Sequence, residues 1–346
     1  MGTVSYIPLG QPFLKTVVSG LIRRVGDNPA GLMDIEILLP TRRAVRAITD
    51  LFLDVTDGQP ILLPRLRAVA DIDDDALEIL VTTTTQAPVH LPPVLSSLEE
   101  QLVLAELIRK RDADIDFERS IALSQALLDF LKSIRDEGLT LDRLDQLVAA
   151  EFAAHWQITV DFLNILRDVW PQYLKAAGRM DVYDRRDALF NELMAFWRDH
   201  PPKHPVIMAG ITGSLPHIAS LMQVVATLPQ GDVILPGFDP HLPDRHQKEL
   251  DPQHPQYELD RVVQKMGLTR DQIHVWNEVE QGFDEHAVSR GHLLRHMMCP
   301  GSCTADWIKL KDQINSDALK AIQDDLKNIA IIPVEKMEDE ARVIAM

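Results

Sequence analysis

Cysteine is nearly absent: Cys299 and Cys303 are the only two in 346 residues. No disulfide framework therefore organises the fold, and two thiols cannot by themselves complete a four-ligand metal site. Long apolar runs are missing too, since no stretch approaches the ~20 residues that a membrane span needs. The N-terminal MGTVSYIPLGQPF lacks the basic-then-apolar order of a secretory signal, so the expected compartment is the cytoplasm, with no membrane partner. Positive charge is scarce, with 35 Lys and Arg against 52 Asp and Glu and a net charge of −17. That balance excludes the broadly basic surface of an independent nucleic-acid binder.

What is present is enough apolar residue, 46% of the chain, for one large core or two ordinary ones. The few basic residues gather early: residues 1–70 carry eight Lys and Arg, among them Arg42, Arg43, Arg46, Arg65 and Arg67, against six acidic residues. Any phosphate contact is expected to be local and to lie in this region.

The periodicity predicts an α/β fold with a parallel sheet. SYIPL reads as a strand, QPFLKTVVSGLIRRV as a helix with Pro12 near its first turn, and IEILLP as a second strand. TRRAVRAITDLFL reads as a helix capped by Thr41, and PILLPRL as a third strand. From residue 91 to 203 the strand signals vanish and helical periodicity takes over, with Gly138 and Gly178 placed as C-terminal caps. The α/β pattern resumes with the strand VIMAG, the helix SLPHIASLMQVVATL and the strand VILPGF. A Pro- and His-rich stretch follows, then the helices HPQYELDRVVQKMG and SDALKAIQDDLKN, the strand IAIIPV and the helix EKMEDEARVIAM. The expected divisions are thus 1–90, an inserted helical subdomain at 91–203, a return to the sheet at 204–315, and the start of a further domain at 316–346. That last helical pattern stops without a cap, which reads as a chain cut from something longer.

Two turns have parts of a phosphate cradle. In AGITGSLPH, Gly210, Thr212, Gly213 and Ser214 lack the Lys that a phosphate loop requires, and Ser214 reads as an N-cap ahead of Pro216. In YIPLGQPFLKT, Lys15-Thr16 follows the first strand, but Leu9 and Leu14 stand at the two glycine places and would block the approach of backbone to phosphate. Thr41, Arg42, Arg43 and Arg46 have two readings: a phosphate contact at a helix N-terminus, or an exposed basic start complementing Asp50 and Asp54. The acidic run Asp71, Asp73, Asp74, Asp75 and Glu78 reads as a solvated loop. His241, His246 and His254 match no standard ligand spacing, so no metal site is expected.

Several segments, in order, carry a resemblance: RLRAVADIDDDALE, LPPVLSSLEEQLVLAELI, EGLTLDRLDQL, HWQITVDFLNIL, AGITGSLPHIASLM, LPQGDVILPGFD and DPQHPQYELDRVV. From about residue 6 onward the chain resembles the N-terminal region of AddB-type subunits of the AddAB helicase–nuclease, in their alphaproteobacterial form. The resemblance implies a degenerate superfamily 1 helicase-like, P-loop NTPase-like sheet domain with an inserted helical subdomain, acting in double-strand break repair by recombination. It implies the AddA motor subunit and DNA as partners, and a part in threading DNA and scanning for the hotspot sequence. In an active motor the strand after the insertion ends in Asp-Glu, where this chain has Ala209 and Gly210, so no catalysis and no nucleotide binding are expected. The strand VILPGFDPH lacks the Gln that senses the γ-phosphate. TRRAVR matches the motif that touches single-stranded DNA, which favours Thr41, Arg42 and Arg43 as contacts. The family's nuclease domain, four-cysteine iron–sulfur cluster and Mg²⁺ belong to the C-terminal part of the full subunit, so no cofactor is expected here. Cys299 and Cys303 do not match the cluster ligands by position.

Overall fold

The computed structural model describes residues 2–56, 58–70, 72–142, 162–278, 291, 293–313, 320, 326 and 330–345. Six strands, β1 (Thr3–Ile7), β2 (Glu36–Leu39), β3 (Arg65–Ala68), β4 (Val206–Ala209), β5 (Gly231–Pro236) and β6 (His274–Val275), form one sheet in the order β3-β2-β4-β5-β1-β6. Every pairing is parallel. The helices in chain order are α1 (Phe13–Val25), α2 (Arg42–Val55), α3 (Asp74–Thr85), α4 (Ser97–Arg111), α5 (Phe117–Asp136) and α6 (Trp170–Ala177). They continue with α7 (Val182–Asp199), α8 (Pro216–Thr227), α9 (Asp244–Lys248), α10 (Tyr257–Lys265), α11 (Asp306–Gln313) and α12 (Met337–Ala345).

The central strands are apolar at successive positions because both faces of the sheet are covered. Ile7, Ile37, Leu39, Ile207, Ala209 and Ile234 pack against α1 and α2. Leu38, Val206, Met208, Val233 and Leu235 pack on the other face, against α3, α7, α8 and α10. Helices α4, α5 and α6 build a separate core from Leu104, Ile108, Leu127, Leu131, Leu166 and Trp170. Helix α7 does not join them, since its Leu189, Phe190, Leu193 and Trp197 belong to the sheet's core.

The expected caps form at Thr41, whose hydroxyl accepts from Ala44 N at 3.1 Å, and at Gly178, which takes the left-handed conformation at φ 61°. Gly138 follows α5 with φ 67°. Four local expectations need correction. The third strand lies at Arg65–Ala68 rather than over PILLPRL, because Pro60 and Pro64 have no N–H for the ladder and pairing starts immediately after Pro64. Ser214 is not the N-cap of α8: Pro216 takes the first helical place, so the cap falls on Leu215, which makes no side-chain bond. The acidic run is not a loop but the start of α3, with Asp73 accepting from Ala76 N at 2.7 Å and Asp74 and Asp75 in the first turn, where the helix dipole favours them; Asp71 lies outside the described residues. Residues 330–334 form no strand, and Ile331 is 90% exposed, with no neighbouring strand among the described residues to pair its backbone. The expected helix SDALKAIQDDLKN lies mostly outside the described residues, as do parts of TLDRLDQLVAAEF and HWQITVDFLNIL. Among the described residues no helix is long and apolar enough to cross a membrane.

Candidate functional site

In an open parallel sheet the ligand crevice lies beyond the carboxyl ends of two neighbouring strands whose following helices cover opposite faces. Strands β2 and β4 meet that condition, and so do β1 and β5: the latter pair from Thr3↔Asp232 to Ile7↔Pro236, and lead to α1 on one face and, past the short α9, to α10 on the other. Strand β4 lies on the far side of β5, pairing Ala209 with Ile234. The loops after β1, β4 and β5 therefore share one edge.

Side chains of the chain itself lie along this edge, Phe13 half-buried and Leu9 37% exposed. A β-carbon added at Gly210, which has φ 74°, would stand 3.1 Å from Phe13 Cε1, so the Phe13 ring lies against the end of β4. A β-carbon at Gly237 would stand 3.5 Å from Leu9 Cδ2, and one at Gly291 4.0 Å from Leu9 Cδ1. Leu14 turns inward onto the core under α1, Lys15 is exposed and Thr16 is half-buried. Helix α1 begins after Pro12, with Thr16 N donating to Pro12 O at 2.9 Å. Ala209 is fully buried and Gly210 N donates to Ile234 O at 3.1 Å, so β4 ends in backbone bonding with no carboxylate.

The loop after β5 holds a buried polar network that sequence patterning did not single out. Asp239 accepts from Arg295 Nε at 2.6 Å and Nη2 at 2.7 Å, and from His241 N at 3.0 Å. Gln256 donates to Gly237 O at 2.8 Å and accepts from Asp239 N at 2.9 Å, so a glutamine from the start of α10 braces this loop. Arg270, 7% exposed, donates through Nη1 to Asp239 O at 2.6 Å and through Nε to Asp260 Oδ1 at 3.1 Å, and lies over the Phe238 ring at 4.8 Å. Its Nη2 is 2.9 Å from the same Asp260 oxygen but off the hydrogen-bond line. Burial, and then the Asp239 charge, push the Tyr6 hydroxyl above its ordinary range. No motif marks these residues; only the Asp-Pro step of GFDPH hints at a fixed turn.

The arginine candidates separate into two groups. Thr41, Arg42 and Arg43 are exposed at the carboxyl end of β2, with Arg46 exposed one turn along α2. Arg42 Nη2 lies 2.6 Å from Asp73 Oδ2, so its charge is answered by the cap of α3. The Asp73 carboxyl is held below its usual range, first by the Ala76 N–H and then by Arg42. Arg65 starts the edge strand at the opposite end, opposite Glu36 in register. Arg67 Nε donates to Glu36 Oε1 at 2.7 Å, and His204 Nε2 lies 3.0 Å from Oε2. Glu36 is 5% exposed, so Arg67 is committed to neutralising a buried carboxylate.

The histidines do not converge. His254 Nε2 contacts Met298 O at 2.8 Å, whereas buried His246 lies 3.1 Å from Asp306 Oδ2 and 3.6 Å from Cys299 Sγ. Burial, followed by Cys303, pushes the Cys299 thiol up, which opposes thiolate chemistry at neutral pH. Among the described residues no group of three or more His, Cys, Asp or Glu is arranged to hold a metal ion. Comparison of the chain with family models and with curated proteins gives no match.

Proposed function

We propose that this chain is a non-catalytic, helicase-like region of an AddB-type subunit, a scaffold that guides DNA beside an AddA-type motor in double-strand break repair. The observation that carries the non-catalytic half is the Phe13 ring against Gly210, with Leu9 against Gly237, in the crevice where phosphates would have to sit. A phosphate loop needs bare backbone at that place, and catalysis needs a carboxylate at the end of β4 to hold Mg²⁺. Phe13 covers the backbone at Gly210, and neither Ala209 nor Gly210 supplies a carboxylate. The order of β1, β5 and β4 and the helical unit inserted ahead of β4 fit such a core. Thr41, Arg42 and Arg43, exposed at the same edge, are the proposed contacts to the DNA backbone; Arg65 and Arg67 are set apart from them.

A fluorescent ATP analogue with Mg²⁺ tests the first half: the full chain is expected to bind it no more tightly than Lys15→Ala does. Tight binding lost on Lys15→Ala overturns it, and so does stoichiometric bound metal with phosphoesterase activity. In the complex assembled with the motor subunit, replacing Arg42 and Arg43 together by Ala should weaken DNA binding and lower the log–log salt slope by about 1 to 2. An unchanged slope removes both residues from the site.

A further inference from the structure

Helices α4–α6 connect to the sheet body through two strands of chain, 93–95 and 179–181. None of the buried residues of their core belongs to the core on either face of the sheet. The two connections run side by side: Val94 and Met180 pair in parallel, Leu95 N donates to Met180 O at 3.2 Å, and Met180 N donates to Pro93 O at 3.2 Å.

Where the described residues of the helical unit face the body, clefts open to solvent lie along the seam. One of about 400 Å³ lies between Leu131, Arg135 and Trp170 on the unit and Asp184, Pro216 and His217 on the body. Another of about 320 Å³ is walled by Glu100 and Lys132 on the unit, by Asp181 at the linker and by Tyr183 on the body. A third of about 510 Å³ separates Glu137 and Gly138 from Gly213, Ser214 and α10. Protein interiors are close-packed, so a seam lined by clefts open to solvent is not packed as a core is. Among the described residues, two side-chain approaches bridge it. Arg135 reaches from α5 to Asp184 and, at 3.3 Å, to Asp181, while Gly138 lies so close to Pro216 that an added β-carbon would come within 2.8 Å of Pro216 Cγ.

We propose that the helical unit swings as one body about the paired linkers at 93–95 and 179–181, and that Arg135 is the latch holding it against the sheet body. Two adjacent hydrogen-bonded connections define a hinge axis, and the backbone on either side of them belongs to different cores. Opening widens the cavity beside Gly213 and Ser214, so the motion reaches the turn that follows β4. The latch is partly exposed, with the side chains of Arg135 and Asp184 at 30% and 43%, so salt screens it and favours the open arrangement.

Fluorophores placed by non-canonical amino acids at exposed Glu118 on the unit and Arg198 on the body report the swing by single-molecule energy transfer. Two distance populations are expected, with the longer-distance population rising with ionic strength. Arg135→Gln should raise the open-to-closed ratio on the order of two- to fivefold, the worth of one partly exposed ion pair. Lys110→Ala, which removes an exposed pair within α4 away from the seam, should leave the ratio unchanged. The salt titration of the unsubstituted chain decides the matter even if Arg135→Gln fails to fold. A single narrow distance population, unmoved by salt, overturns the hinge.

Discussion

Replacing Arg270 by Ala probes the network that braces the loop after β5. The guanidinium is 7% exposed, and its removal leaves the Asp260 carboxylate, 5% exposed, without its cation. Breaking a buried pair from one side costs about 3 to 5 kcal/mol. Asp260 keeps Gln247 Nε2 at 2.7 Å and Gln264 Nε2 at 2.5 Å, which places this part near the lower end. The Asp239 carbonyl loses its donor and the Phe238 ring loses its cation, adding on the order of 1 kcal/mol together. The expected loss is therefore about 4 kcal/mol, read from urea unfolding followed by circular dichroism at 25 °C. Because the groups are buried, the loss should persist in 0.5 M salt. A cycle with Asp260→Asn should return a coupling of about 2 kcal/mol or more, since each single change strands the other partner. A loss below about 1.5 kcal/mol, or coupling near zero, would refute the view that this loop is held by charge.

Three other outcomes are expected. Burial, and then the Asp181 charge, push the Glu100 carboxyl up to about 7, with Tyr183 and Lys132 also facing it. The folded chain therefore keeps a proton that the unfolded chain releases, so this stability is present below about 4.5 and is lost as pH rises through about 7. Discounted for partial exposure, Glu100→Gln should gain on the order of 1 kcal/mol over the parent at pH 8 and nothing at pH 4, measured by urea midpoints. Thr41→Ala removes the Ala44 N–H acceptor and should cost about 1 kcal/mol in the same assay. Gly213→Ala meets both a positive φ of 76° and Val262 Cγ2 at 2.7 Å, whereas Gly267→Ala meets φ 74° alone; the first should cost about 2 kcal/mol and the second about 1.

The elements with apolar periodicity were legible in the sequence, because a strand buried on both faces and a helix buried on one leave different spacings. Strands β1, β2, β4 and β5 and helices α1, α2, α8 and α10 fall where patterning puts them, within a few residues. The misses have local causes. Pro64 moved β3, Pro216 moved a cap, and Asp73 turned an acidic run into a helix start, each a single-residue effect that period counting does not weigh. The candidate site was legible only as missing parts: Leu9, Leu14, Ala209 and Gly210 stand out for lacking the expected chemistry. Its fillings were not legible. Phe13 reaches Gly210, and Arg295 reaches Asp239 across 56 residues, only after the chain has folded.

The fillings also oppose the creation of a phosphate site at this edge by one change. Ala209 faces α1 with no exposed surface, so an Asp there would bury a carboxylate beside apolar neighbours, at a cost of several kcal/mol. Gly210 has positive φ with the Phe13 ring in contact, so any side chain there needs both backbone strain and displacement of the ring. Removing Phe13 first would leave a void between α1 and β4, which is itself destabilising. The alternating faces of β1, β4 and β5 fix the chain path through Ile7, Ile207, Val233 and Ile234, while the turns beyond them are free to trade bare backbone for packing. On the proposed reading, stability and phosphate access compete for the same few positions at this edge, where Phe13 packs against Gly210.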